Sequence, residues 1–163
     1  MFFALDTTIA RAAQKAARDG GRPAAALDIF LMIERLATCR CEQLQVRCTG
    51  DPVRVSVCHC LECQKRSGSA FSAQARWPED QVRMTGAYRE WSKIGDSGGR
   101  GTFRFCPECS ATLAYVIDRM PGLVAIPIGA FADPHFPAPA FSVYEARKHG
   151  WVAITGDDVE HHE

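Results

Sequence analysis

The sequence predicts a mainly β fold of antiparallel sheets held by metal. Three observations predict it. Short runs alternate apolar and polar residues with period two, and Gly-, Pro- or Asp-containing turns separate them. Seven of the eight cysteines stand in C-x-C or C-x-x-C spacings. The densest stretch is Cys58-His59-Cys60-Leu61-Glu62-Cys63, bracketed by Cys39-Arg40-Cys41 and by Cys106-Pro107-Glu108-Cys109.

Residues 1–36 differ from the rest. An alanine-rich helix is expected over 8–18, with Thr7 or Thr8 as N-cap and Gly20-Gly21 as its stop. A second is expected from about 24 to 36, with Leu27, Phe30, Leu31 and Glu34 at helical spacing. This segment reads as a helical or flexible extension, with Met32 an alternative start. A zinc domain is expected over 37–156 and a short tail over 157–163.

From Cys39 onward the expected elements are strands. Leu44, Val46 and Cys48 alternate with polar residues, Asp51-Pro52 turns the chain, and Val53 to Val57 leads into Cys58. Further strands are expected over 70–77, ending before Pro78, and over 87–91, followed by a loop at 96–99. Thr102 to Phe105 leads into Cys106, and Ala111 to Ile117 leads away from Cys109. Leu123 to Ile128 is β-branched, its Pro127 suggesting an edge or a bulge. A proline-rich loop over 133–139 precedes strands at 141–145 and 151–154. Strand after strand with tight turns implies antiparallel architecture.

Thiols two or three residues apart are poorly placed to bridge one another and well placed to share a metal. A C-x-C pair on a strand puts both side chains on one face, so Cys39 and Cys41 can bind one ion together. Cys106 and Cys109 sit between two strand-like runs, as in a zinc knuckle. Two plus two makes a tetrahedral four-thiol set, whose closure across more than sixty residues would stabilise the fold. Cys58, Cys60 and Cys63 remain. Three thiolates can hold a second zinc and leave its fourth position to His59, Cys48, His135, His149, water or a substrate thiol. His59 stands between two same-face ligands and is expected to point away. Cys48 reads as a small buried residue.

Composition narrows the function. Formal net charge is +0, from 19 basic and 19 acidic side chains, so no global field attracts nucleic acid or an anionic bilayer. No segment approaches the roughly 20 unbroken apolar residues of a membrane span. The N-terminal residues show no basic flank followed by a long apolar core, which together with the thiol spacing leads to an expected cytoplasmic location.

The order of Cys-x-Cys, then Cys58-His59-Cys60-Leu61-Glu62-Cys63 followed by Gln64-Lys65-Arg66-Ser67-Gly68-Ser69, then Arg104-Phe105-Cys106-Pro107-Glu108-Cys109, then Arg147 and Trp151-Val152, resembles the glutathione-dependent formaldehyde-activating enzyme family, also called the centromere protein V or GFA domain. The resemblance spans roughly 37–154. It implies an Mss4-like β-tent carrying two zinc ions. The structural one would sit on Cys39, Cys41, Cys106 and Cys109, and the catalytic one on Cys58, Cys60 and Cys63. It also implies a carbon–sulfur lyase that joins formaldehyde to glutathione, its co-substrate, giving S-(hydroxymethyl)glutathione. The partner is then a small-molecule thiol or aldehyde adduct. Lys65, Arg66, Arg104 and Arg147 are candidates for the glutathione carboxylates, and Ser67 and Ser69 read as turn residues. A non-catalytic Mss4-like protein-interaction module, its second zinc closed by a fourth protein ligand, is the alternative. The family usually has glycine where this chain has Glu42 and Ser110, positions where glycine would permit a left-handed turn.

Overall fold

A computed structural model of the chain describes residues 33–95 and 98–163. The helix expected over 8–18, most of that over 24–36, and Asp96 and Ser97 of the expected loop lie outside these residues. The described residues form eleven strands: β1 (Glu34–Thr38), β2 (Gln45–Thr49), β3 (Arg54–Cys58), β4 (Ser72–Pro78), β5 (Val82–Thr85), β6 (Arg89–Ile94), β7 (Arg100–Phe105), β8 (Thr112–Ile117), β9 (Leu123–Pro127), β10 (Phe141–Val143) and β11 (Glu160–His161). One α-helix, α1 (Leu61–Ser67), follows β3. Among the described residues no helix is long and apolar enough to cross a membrane.

The strands make two sheets, β1-β2-β5 and β11-β10-β3-β4-β9-β8-β7-β6. Ala37 of β1 and Val46 and Cys48 of β2 join Val55, Ala75, Trp77, Val124 and Ile126 in one buried cluster, so the core draws on both sheets. Trp77, fully buried, donates its indole N–H to the Gly50 carbonyl at 3.1 Å. That bond removes the penalty of an unpaired buried donor.

Several expectations need correction. Glu34 to Leu36 do not end a helix; they open β1, which pairs antiparallel with β2. A short apolar run fits either period, and the available partner strand decides. β5, in the run Val82-Arg83-Met84-Thr85, was not expected and pairs with β2. The sheet is not purely antiparallel, because β10 runs parallel to both β3 and β11. Residues 151–154 form no strand, and the closing strand is β11, inside the stretch expected as a tail. Pro127 ends an interior strand, beyond which the chain leaves the ladder in a 3-10 turn at Ile128–Phe131. β4 stops at Pro78, which is its last residue.

α1 was also unforeseen, since none of its residues is buried and no apolar stripe announces it. Its ends explain it. The Cys60 Sγ caps the N-terminus by accepting from the Cys63 N–H, and Gly68, at φ 63, closes the C-terminus through a bond to the Gln64 carbonyl.

Side-chain alternation assigns one face of the larger sheet to the site. Ser56 stands opposite Gln74 and Cys58 opposite Ser72, while Val55 and Ala75 turn to the core. Arg76, Ala125, Tyr115, Phe103 and Trp91 follow in register across β4, β9, β8, β7 and β6 on that same outward face.

Candidate metal centres

The chain brings seven cysteines into two groups, Cys39 with Cys41, Cys106 and Cys109, and Cys58 with Cys60 and Cys63. Within each group the sulfurs lie inside 4.8 Å of one another, a spacing that fits thiolates around a single tetrahedral ion. All eight cysteines are free thiols.

In the four-thiol group two matching turns converge. Cys39 N–H donates to the Leu44 carbonyl while Leu44 N–H donates to the Cys39 Sγ at 3.3 Å. Cys106 N–H donates to the Ala111 carbonyl, and Cys109 N–H donates to the Cys106 Sγ at 3.5 Å. Gln43 Nε2 reaches the same sulfur at 2.9 Å and also holds the Ala87 carbonyl. These donors favour ionised sulfur. The backbone N–H of Ala111 is the largest cause holding the Cys109 thiol below its ordinary value. Cys106 and Cys109 are therefore the charge-stabilised ligands, whereas at Cys41 the Gln43 N–H lowers the thiol but burial and hydrogen bonds to the neighbouring thiols outweigh it and push the thiol up to about 12.

Each turn contains a non-glycine residue in the left-handed region, Glu42 at φ 63 and Ser110 at φ 59. These are the two positions singled out in the sequence. A side chain there costs roughly 1–2 kcal/mol. Glu42→Gly and Ser110→Gly are each expected to stabilise the metal-loaded protein by about 0.5–1 kcal/mol once glycine's extra chain entropy is subtracted. Thermal melts should rise by a few degrees, and a fall in either variant would contradict this.

The second group forms where β3 ends. Cys58 closes the strand, Cys60 caps α1, and Cys63 lies in its first turn. The three thiols shift one another. Hydrogen bonds from Cys58 and Cys63 hold Cys60 far below its usual range, while the bond to Cys60 is the first cause pushing Cys58 up. Without a cation one charge is favoured and further ionisation is opposed, so metal entry would release protons. Among the described residues no His, Cys, Asp or Glu adds a fourth ligand atom to this group. Cys48 lies in the core, His135 sits in an exposed loop, and His149 bonds the Gln64 Oε1 at 3.1 Å.

His59 points away from the thiols, as its position between same-face ligands predicts. It is wholly buried, with Nε2 3.2 Å from the Ser142 Oγ. Ser142 donates to the Glu145 Oε1 at 2.5 Å, which also meets the His161 Nδ1 at 2.7 Å, and Lys148 Nζ lies 2.9 Å from the Glu145 Oε2. Gln64 Nε2 donates to the His59 carbonyl at 2.7 Å and to that of Arg147 at 3.1 Å. This chain ties the thiol loop to β10 and β11. The Ser142 hydroxyl, followed by His161, depresses the Glu145 carboxyl from 4.5 to about 2. Because the folded value is the lower one, this stabilisation is complete above 4.5 and fades only as pH falls toward about 2. Glu145→Gln is therefore expected to cost about 1 kcal/mol. The cost should be equal at the mildly alkaline ends of a pH series and at neutrality. Chemical unfolding at each pH checks it, and a wild-type-like variant would remove this chain from the account.

Arg66 is the cation that acts on the triplet. Arg66, three residues past Cys63, bonds the Ser72 Oγ at 2.5 Å and lies over the Tyr115 ring at 4.7 Å. Arg76, 8 % exposed, donates to the Ser56 Oγ at 2.9 Å and has no carboxylate partner among the described residues. A buried cation without a counter-ion is costly.

A cleft of about 530 Å³ adjoins α1, with Arg40, Arg66, Ser67, Ser69 and Phe71 in its wall. No cysteine lines it; Ser67 links it to the triplet by donating to the Cys63 carbonyl at 2.9 Å. Of the cations expected at the site only Arg66 is in this wall. Lys65 pairs with Glu62, Arg104 pairs with Glu90, and Arg147 is exposed beside Gln64. Arg40 was missed, although its place between two same-face ligands signals an outward side chain. Arg76, Gln43 and the Ser142–Glu145 pair left no local signal.

The sequence model of one family, described as glutathione-dependent formaldehyde-activating enzyme, matches residues 34–147. No curated protein matches the chain. Among solved structures, that of a Rhodobacter sphaeroides protein from a structural-genomics programme is similar, at 16% identity, covering 61% of this chain and 91% of its own. Its TM-score is 0.49.

Proposed function

The chain belongs to the glutathione-dependent formaldehyde-activating enzyme family, and from that premise we propose that it is a zinc-dependent carbon–sulfur lyase acting on adducts of glutathione with an aldehyde. The observation that carries this reading is the three-thiol group with no fourth side-chain ligand among the described residues. Cys39, Cys41, Cys106 and Cys109 would hold a closed structural zinc, and Cys58, Cys60 and Cys63 an open one. Zinc in the open set would supply a position for one thiol sulfur and keep that sulfur ionised near neutral pH.

The chain's own residues do the rest. Arg40 and Arg66 offer guanidinium groups for the two carboxylates of glutathione, and Ser67 and Ser69 add hydroxyls to the same cleft. The His59–Ser142–Glu145 chain fixes the loop that carries the thiols. Holding thiol and aldehyde together gains from proximity, which suits an addition that also proceeds unaided. In it the carbon–sulfur bond forms, the carbonyl π bond breaks, and the aldehyde oxygen takes up one proton, balancing the proton the thiol released on ionising. Free thiols throughout fit a reducing compartment, and we place the reaction in the cytoplasm. The competing reading, a protein-interaction module, needs a fourth protein ligand on the second zinc.

Exchange spectroscopy by NMR on glutathione and formaldehyde tests the activity. Zinc-loaded protein at catalytic concentration should speed exchange between free glutathione and S-(hydroxymethyl)glutathione. Exchange at the unaided rate would reject the reading.

A further inference from the structure

Tyr115 of β8 is a buried phenol that the reaction above leaves without a task. It is 3 % exposed, and its hydroxyl makes no hydrogen bond among the described residues. A buried tyrosine ordinarily gives its O–H a partner. Among the described residues, the unpaired side-chain polar atoms sealed from solvent are Arg35 Nε, Arg54 Nε, His59 Nδ1 and Gln74 Oε1. The Tyr115 oxygen is not one of them, so part of the surface left to this residue lies at its hydroxyl.

The ring is held while the hydroxyl is not. Phe103 packs on it with centroids 5.3 Å apart, and the Arg66 guanidinium stands 4.7 Å from its centroid. The same guanidinium bonds the Ser72 Oγ at 2.5 Å, and Ser72 is the cross-strand partner of Cys58. Arg66 also acts on Cys63, three residues before it. One side chain thus links the phenol to both ends of the triplet. Burial is the largest cause pushing the Tyr115 hydroxyl up to about 12, and Arg66, Arg76, Cys63 and Cys58 are the charges that act on it. The oxygen keeps its proton near neutral pH and serves as a donor.

Addition of a thiol to an aldehyde gathers negative charge on the carbonyl oxygen. A donor fixed in advance beside that oxygen stabilises the charge as it develops, with no reorganisation at the moment of reaction. Resting on the function proposed above, we propose that the Tyr115 hydroxyl donates a hydrogen bond to the aldehyde oxygen of an adduct whose sulfur lies at the triplet. The sulfur–carbon bond forms, the carbonyl π electrons move to oxygen, and that oxygen takes up one proton, balancing the proton the thiol released on ionising. Tyr115 keeps its own proton, and no oxidant or reductant takes part. It is then a catalytic residue of the carbon step and not of sulfur binding.

Tyr115→Phe in the metal-loaded full chain tests this. Phenylalanine keeps the contacts to Phe103 and Arg66 and removes an oxygen that has no partner, so the melting temperature should stay within a few degrees of wild type. Glutathione titration of the cobalt(II)-substituted variant should match wild type, because sulfur binding does not use the hydroxyl. Catalysed exchange between glutathione and S-(hydroxymethyl)glutathione should fall about 100-fold, the loss expected for one such donor. Exchange within a few-fold of wild type overturns the role of Tyr115 and leaves the glutathione reading standing. A melt lower by more than a few degrees, or a lost glutathione response on cobalt, overturns it as well, since either makes the hydroxyl a support of the fold or of the metal site. A wild type that exchanges at the unaided rate overturns the glutathione reading and this proposal with it.

Discussion

Cys106→Ser is expected to unfold the domain. Cys106 is fully buried, and its sulfur receives Gln43 Nε2, the Cys109 N–H and a 3.6 Å contact from the Cys41 Sγ. It joins the β7–β8 hairpin to the turn between β1 and β2, two segments that belong to different sheets. A structural zinc contributes about 10–16 kcal/mol of binding free energy in small zinc domains. Net stability of a whole domain is only about 5–15 kcal/mol. Even partial loss of the ion therefore exceeds what the core can supply. The variant should show a melting temperature lower by well over about 10 °C, or no cooperative transition. A strong chelator should do the same to the wild type. Melts within a few degrees of wild type would mean that the four-thiol group does not hold the sheets together.

Cys63→Ser should give the opposite pattern, an intact fold without turnover. Cys63 sits on a helix with no buried residue, and the bond that caps that helix uses its backbone N–H, which serine retains. The structural cost is thus about 1 kcal/mol or less, a surface-helix value. The metal cost is large, because a two-thiol remnant no longer defines a tetrahedral site. Bound zinc should fall from two ions to one per chain. Catalysed exchange should fall at least about 100-fold, since even the outer partners of metal ligands are worth 10–100-fold. Two ions retained, or exchange within a few-fold of wild type, would detach the triplet from the chemistry. Read together, the two variants separate the roles, since one loses the fold and the other keeps it.

The grouping of the thiols was legible because it depends on local periodicity. A C-x-C pair on a strand faces one way and a C-x-x-C turn closes on itself, so each local set was legible, and joining Cys39 and Cys41 to Cys106 and Cys109 followed from counting four ligands for one tetrahedral ion. The left-handed positions at Glu42 and Ser110 were flagged by the family resemblance alone, since the family usually has glycine there. β2 and β3 followed from clean alternation. What escaped depends on register between distant strands. β1 and β5 are short runs that only β2 makes into strands, and β10 and β11 are parallel additions that no hairpin signal marks. α1 rests on capping by a cysteine, a residue read first as a ligand. Arg76, Tyr115, Phe103 and Trp91 stand in one row only through four successive pairings, so their neighbourhood was invisible in the linear chain.

The account turns on one claim, that the triplet leaves a metal position for the sulfur of a thiol substrate. Cobalt(II) substitution followed by glutathione titration tests it most directly, because sulfur-to-cobalt charge transfer reports each thiolate that joins the ion. The account predicts that this absorption grows saturably with glutathione, that the ligand-field bands stay tetrahedral, and that the Cys63→Ser protein shows no such growth. A spectrum unchanged by glutathione in the wild-type protein, with both cobalt sites filled, would contradict it.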